Sequence, residues 1–362
     1  MNKIIYLDAA ASYLKSDAVI DSQVDFLRNN YANAGRGICA RAIGVDNMLN
    51  SVRKKVADFI GAEFQNIVFT AGTTDGMNRV VSLLRPDNNV QVALSVLDHH
   101  SACLPWVATG AKTVLCPLDA QYNFDIDNIP YADVFVLTAM SNVIGVAQDV
   151  EAIIRAARKK NPNVIVVVDA AQFVVHEKID AKKWDADFIV FSGHKIGADT
   201  GVGILYIKNP DDFMPDKFGG GMVQVVDGNN FVLNSVPERF EAGTLPLTQI
   251  AGLGVALENI EKNRPDISLL KYMRDELSRL PQIQFVSPDG AAILSFVVDG
   301  MHCLDVGAML GARNVCVRVG QMCASWIHKA LGVPGTIRIS VGAYNTIEEI
   351  NKVIAIIKDI VK

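Results

Sequence analysis

Between positions 66 and 208 the chain repeats one pattern: a short, unbroken apolar run, then a polar or helical stretch. The runs are NIVFTAG, VQVALS, KTVLCPL, VFVLTA, VIVVVDA, DFIVFSG and GVGILYI. They are rich in valine and isoleucine and do not alternate with polar residues, which is how strands read when both faces of their sheet are covered. Between them, TDGMNRVVSLL and VEAIIRAARKK space their apolar residues as helices do. Strand–helix alternation of this kind restricts the segment to an α/β layered domain with a mainly parallel sheet. With 362 residues, 50% of them hydrophobic, the chain is long enough for a large core and for more than one domain.

After Gly219 the character changes. GGGMVQVVDGNNFVLNSVPERFEAGT reads as a loop or hairpin, and 245–262 reads as a long helix. A smaller alternating unit follows: a helix near 266–279, strands in IQFVS and AILSFVV, a helix near 304–311, and strands in VCVRV and TIRISVG. The last helix is TIEEINKVIAIIKDIV, with Thr346 as its N-cap. This divides the chain into a large domain over 15–240 and a small one made of 1–14 and 241–362.

A net charge of −5 leaves no basic footprint for nucleic acid. The longest apolar stretches are far too short to span a bilayer, and the N-terminus lacks the pattern of a secretion signal. Six cysteines, at 39, 103, 116, 303, 316 and 323, include no C-x-x-C pair. That spacing argues against a disulfide framework and a metal site, and for a reducing cytoplasm.

In open α/β sheets ligands sit at the carboxyl ends of the strands, so the polar residues that follow each run are the candidates. Thr73 and Thr74 open a helix after NIVF, where they suit a phosphate or simply cap the helix. Asp98, His99 and His100 follow the second run; adjacent histidines point different ways, so the two are not expected to serve one site. Ser141 and Asn142 follow the fourth, where an Asx turn is the alternative. Asp169 ends a very apolar strand and Gln172 lies three residues on; a buried acid there needs a cation or donors, or else caps the next helix. Ser192, His194 and Lys195 follow the sixth. Lys195 is either one half of a structural salt bridge or an amine whose pKa is lowered by burial, nucleophilic toward a carbonyl. A phosphate cradle, a buried acid and a lysine at one sheet edge match the needs of pyridoxal 5'-phosphate.

At this point the chain resembles a known group, the class V branch of fold-type I pyridoxal-phosphate enzymes, and within it the cysteine desulfurase and selenocysteine lyase family. The resemblance runs in order through YLDAAAS at 6–12, GRGI at 35–38, GTTDGMN at 72–78, DHHSACLPW at 98–106 and SNVIG at 141–145. It continues through VDAAQFVVH at 168–176, FSGHK at 191–195, RFEAGT at 239–244, VRVGQMCA at 317–324 and IRIS at 337–340.

The resemblance implies a role for each matching residue. Lys195 would be the Schiff-base lysine, Asp169 the partner of the pyridine nitrogen, and Gln172 a donor to the ring oxygen. His99 would stack on the ring, and Thr73, Thr74, Ser192 and His194 would hold the phosphate. Thr244 would reach over from a second subunit, which implies a homodimer. Asn142, Arg338 and Arg36 would bind the substrate carboxylate, and Cys323 would accept sulfur as a persulfide, with Arg318 as a nearby positive charge. The implied reaction converts L-cysteine to L-alanine, with a sulfur-acceptor protein as a further partner. Selenocysteine lysis or another class V reaction is the alternative. The chain departs from its relatives at Cys39, at Ala198-Asp199, and in entering directly at IIYLDAAAS.

Overall fold

In this computed structural model, which describes residues 3–35 and 37–362, the seven apolar runs form one sheet. Its strand order is Ile67–Thr70, Gly203–Ile207, Phe188–Ser192, Ile165–Asp169, Val134–Thr138, Gln91–Leu94 and Lys112–Leu115. Every pairing is parallel except those of Gly203–Ile207, which runs antiparallel to both neighbours. The exception has a simple cause. Only residues 193–202 separate it from Phe188–Ser192, too few for the crossover that a parallel return requires.

The continuity of the apolar runs follows from the layers. Val166, Val168, Phe135 and Leu137 enter one core, and Val167, Val136, Phe188 and Val190 enter another on the opposite face. Helices Thr73–Leu84 and His100–Ala108 cover the second face through Met77, Val80 and Trp106. Helices Val150–Lys160, Ala40–Ile60 and Leu247–Glu258 contribute to the first. Ala40–Ile60 and Asp17–Asp25 are helices that the sequence expectations do not include.

A four-stranded antiparallel sheet forms the smaller unit, in the order Ile283–Phe285, Leu294–Val298, Thr336–Ile339, Arg318–Gly320. Helices Ser268–Leu277, Cys303–Gly311 and Ile347–Ile360 close a separate core with Met273, Phe296, Val306 and Ile350. Thr346 caps the last helix in a reciprocal pair with Glu349. The expected strand VCVRV is split: Val315–Cys316 pairs in parallel with Ile5–Tyr6, while Arg318–Gly320 pairs with Thr336–Ile339.

The helix Leu247–Glu258 buries Leu247, Ile250, Leu253 and Ala256 in the same core as the large sheet. A division at 240 would cut that core, so we place the boundary near 265, with the first residues belonging to the small unit. The segment after Gly219 is an exposed antiparallel hairpin, Val223–Asp227 with Asn230–Leu233. No helix among the described residues is long and apolar enough to cross a membrane.

Candidate active site

The polar residues at the strand ends meet where the two units face each other. They line a cavity of about 300 Å³. Thr73, Thr74, His99, Asn142, Asp169, Gln172, Ser192, His194 and Lys195 come from the large unit, and Arg318, Cys323 and Arg338 from the small one. Thr244 lies elsewhere, in a second cavity beside Arg53 and Glu241. Arg36 lies outside the described residues.

One end of the cavity is a helix start. Gly72, with φ 145°, turns the chain from Ile67–Thr70 into helix Thr73–Leu84. Ser192 Oγ accepts from Thr73 N at 2.7 Å and lies 2.8 Å from Thr73 Oγ1. The neighbouring antiparallel strand must come close, and it does so with a glycine: a Cβ on Gly203 would stand 2.5 Å from Gly72 Cα. Unpaired N–H groups, hydroxyls and the positive end of a helix dipole make this the anion-binding end. His194 stands beside it, held by Ser12 Oγ at 3.4 Å, and burial lowers its pKa to about 4.

Three titratable groups surround the middle. Asp169 accepts from Ala171 N at 2.9 Å, and burial lifts its carboxyl to about 6, against the pull of Lys195. Burial and the Arg338 guanidinium lower Lys195 to about 7, and its ammonium donates to Ala10 O at 2.5 Å. His99 caps helix His100–Ala108 by accepting from Ser101 N at 3.1 Å through Nδ1. A backbone amide can only donate, so the neutral ring carries its proton on Nε2. Burial, reinforced by Lys195, lowers the ring to about 4, which keeps it neutral.

On the far wall Asp8 sits between two guanidinium groups. Its Oδ1 meets Arg338 at 2.9 Å and its Oδ2 meets Arg318 at 2.8 Å. Two positive groups share one carboxylate, so this wall stays net positive and suits an anionic substrate group. Arg338 also donates to the Asn142 carbonyl at 2.9 Å, and Asn142 Nδ2 donates to the Met322 carbonyl at 2.9 Å. Next to Met322 is Cys323, exposed and with φ 53°.

Buried atoms without a partner show that the cavity suits a polar ligand. Gln172 Oε1, Asn142 Oδ1 and Arg338 Nε make no hydrogen bond, a costly state for buried polar atoms. An anion-binding helix start, a buried acid lacking a strong cation and an amine near neutrality fit a phosphorylated cationic ring with an aldehyde. They are the residues expected from the sequence. Two others were not, Asp8 and Thr138, while Asp98 and His100 stood only as neighbours of His99. Asp98 accepts from Thr138 Oγ1 at 2.7 Å and from Ser95 N at 2.8 Å, and burial lifts it to about 7. Its place beside His99 in the sequence was the only signal. His100 does not line the cavity but bonds to Ser325 and to the carbonyl of Cys323, which does.

A lysine shifted to about 7 is a free amine to a large extent at neutral pH. In cofactor-free protein, acetic anhydride is expected to label Lys195 faster as pH rises through about 7, levelling above about 8, while exposed lysines keep rising toward 10. Peptide mass spectrometry reads this; a Lys195 profile like that of the other lysines would contradict it.

The comparisons with known proteins agree over the full length. The family model described as Aminotransferase class-V matches residues 5–353. A probable cysteine desulfurase from Vibrio cholerae is 34% identical, the match covering 98% of this chain and 93% of that one. A cysteine desulfurase from Cronobacter sakazakii is 34% identical, covering 97% and 92%. Among solved structures, an apo cysteine desulfurase from Thermococcus onnurineus NA1 superposes with a TM-score of 0.94 at 33% identity, covering 99% of this chain and 95% of that one.

Proposed function

The chain belongs to the class-V aminotransferase family and, within it, to the cysteine desulfurases, and on that premise we propose that it uses pyridoxal 5'-phosphate to move the sulfur of L-cysteine onto Cys323, leaving L-alanine. The observation that carries this reading is the meeting of Lys195, Asp169 and Cys323 around one cavity.

When bound, the cofactor supplies an aldehyde for an amine and a cationic ring that takes up the electron pair left at the substrate's Cα. Thr73, Thr74, Ser192 and His194 would hold its phosphate, Asp169 its ring nitrogen, and Gln172 its ring oxygen. Neutral His99 presents its Nε2 proton to the same space. Arg338 binds the substrate carboxylate through the N–H groups it does not give to Asp8 and the Asn142 carbonyl, Nε among them. Asn142, whose Nδ2 is taken by the Met322 carbonyl, offers only an acceptor oxygen and so faces the substrate's amino group rather than the carboxylate expected from the sequence. Lys195, with a pKa near neutrality, takes the proton from the substrate Cα and can return it. Cys323 attacks the substrate sulfur as a thiolate. The Cβ–S bond breaks, its electron pair stays on carbon and takes up a proton, and the sulfur remains on Cys323 as a persulfide.

Thr244 lines a different cavity of the chain from this one, which supports a site completed by a second copy. Exposure of Cys323 supports handing its sulfur to an acceptor thiol, and six unpaired cysteines support a reducing cytoplasm.

Incubation with L-cysteine is expected to add one sulfur atom to the peptide carrying Cys323 and release alanine in equal amount. Mass spectrometry without reductant reads both. Alanine formed with no sulfur on Cys323 would contradict the mechanism.

A further inference from the structure

Resting on the proposed role of Cys323 as the sulfur acceptor, we infer that His100 is a positioning residue that holds the Cys323 loop in its attacking conformation. The His100 amide donates to the Cys323 carbonyl at 2.7 Å. Ser325 N donates to His100 Nε2 at 3.3 Å, and Ser325 Oγ lies 3.0 Å from the same nitrogen. Since the Ser325 amide can only donate, Nε2 accepts, and the neutral ring carries its proton on Nδ1. The two adjacent histidines therefore hold opposite tautomers. His99 turns a proton toward the cavity, and His100 turns a lone pair toward the loop.

The loop needs such a hold. Met322 and Cys323 have φ of 51° and 53°, the left-handed region, where side chains crowd the backbone. Two consecutive residues there persist only when their surroundings fix them. Helix Ser325–Leu331, which follows, spans seven residues, and its first amides have no partner within it. His100 takes one of those amides and the Cys323 carbonyl, while Asn142 takes the Met322 carbonyl at 2.9 Å. Both grips come from the large unit onto a loop of the small unit. The thiol is thereby located relative to the strand ends that carry the rest of the site. Misplacement of a reacting group by about 1 Å costs on the order of 100-fold in rate.

The test compares His100→Ala and His100→Gln with wild type. Each protein is loaded with pyridoxal phosphate and checked by its visible absorbance. In His100→Ala the absorbance change on adding L-cysteine is expected at an unchanged half-saturating concentration. Single-turnover sulfur transfer to Cys323, read by peptide mass spectrometry, is expected to slow about 10- to 100-fold. In cofactor-free His100→Ala, iodoacetamide is expected to alkylate Cys323 about fivefold faster, as the loop loses roughly one hydrogen bond's worth of restraint. Glutamine reaches about as far as Nε2 and can accept from Ser325 N, so His100→Gln is expected to restore most of both rates. Unchanged transfer and alkylation in His100→Ala, or no rescue by glutamine, overturns the inference. Should His100→Ala not hold the cofactor, Ser325→Ala carries the same readouts from the other side of the contact, with a loss of about fivefold expected and no change overturning the inference. Wild-type protein that places no sulfur on Cys323 would instead overturn the proposed function, while the alkylation rates still read the grip.

Discussion

Replacement of Lys195 by alanine is expected to lower turnover of L-cysteine by about 10⁴-fold, the upper end of what one positioned proton-transfer group contributes. The phosphate-binding end does not involve this side chain, so the variant should still take up pyridoxal phosphate. It should lose it on gel filtration, and its absorbance should be that of the free aldehyde. Retention of a covalent imine in Lys195→Ala would show that another amine carries the cofactor.

The same variant reports on stability. In cofactor-free protein Lys195 has its pKa lowered to about 7 by burial first and by Arg338 second. The folded state therefore binds fewer protons than the unfolded chain between about 7 and the ordinary lysine value of about 10.4. Stability rises with pH across that window, and below about 7 the whole penalty for a buried ammonium is present. Cofactor-free Lys195→Ala is thus expected to melt no lower than wild type at pH 6, with its advantage shrinking as pH rises toward 10. Thermal melts at two pH values check this. A variant less stable at pH 6 than at pH 9, relative to wild type, would contradict it.

Replacement of Cys323 by alanine is the second large effect. Sulfide and alanine formation from L-cysteine should fall at least about 100-fold, because the substrate sulfur then has no thiolate to receive it. Selenide release from selenocysteine should survive, since that atom leaves carbon without help. The side chain is exposed and alanine meets the same left-handed backbone, so stability should change by less than about 0.5 kcal/mol. Cysteine turnover that persists in Cys323→Ala would remove the persulfide from the mechanism.

Much of this was legible in the chain itself, and each part that was not has its own physical reason. The large sheet could be read because residues of alternate parity enter two cores, leaving runs such as VIVVVDA with no polar interruption. The cavity lining could be read because polar residues at or just after several of these runs, Asp169 and Lys195 among them, come together at one edge of the sheet. Helix Ala40–Ile60 was missed because Val45, Leu49, Val52 and Val56 are diluted by exposed polar residues on its other faces. The boundary was the least legible feature, because a helix's apolar face does not say which core it enters; Leu247–Glu258 packs in the large one. Asp8 was silent for a deeper reason. Its importance lies in contact with Arg318 and Arg338, and no local pattern records a pairing across so much chain. His100 was set aside on the sound ground that neighbouring side chains diverge. They do diverge, but its backbone amide and ring reach the Cys323 loop.

The strand Ile5–Tyr6 and the carboxylate of Asp8 carry one further consequence. They pair with Val315–Cys316, Arg318 and Arg338, the last of these 330 positions beyond Asp8. The large sheet closes within residues 67–207, whereas Asp8 meets its two guanidinium groups across more than 300 positions, so the charged wall depends on closing far longer loops than the sheet does.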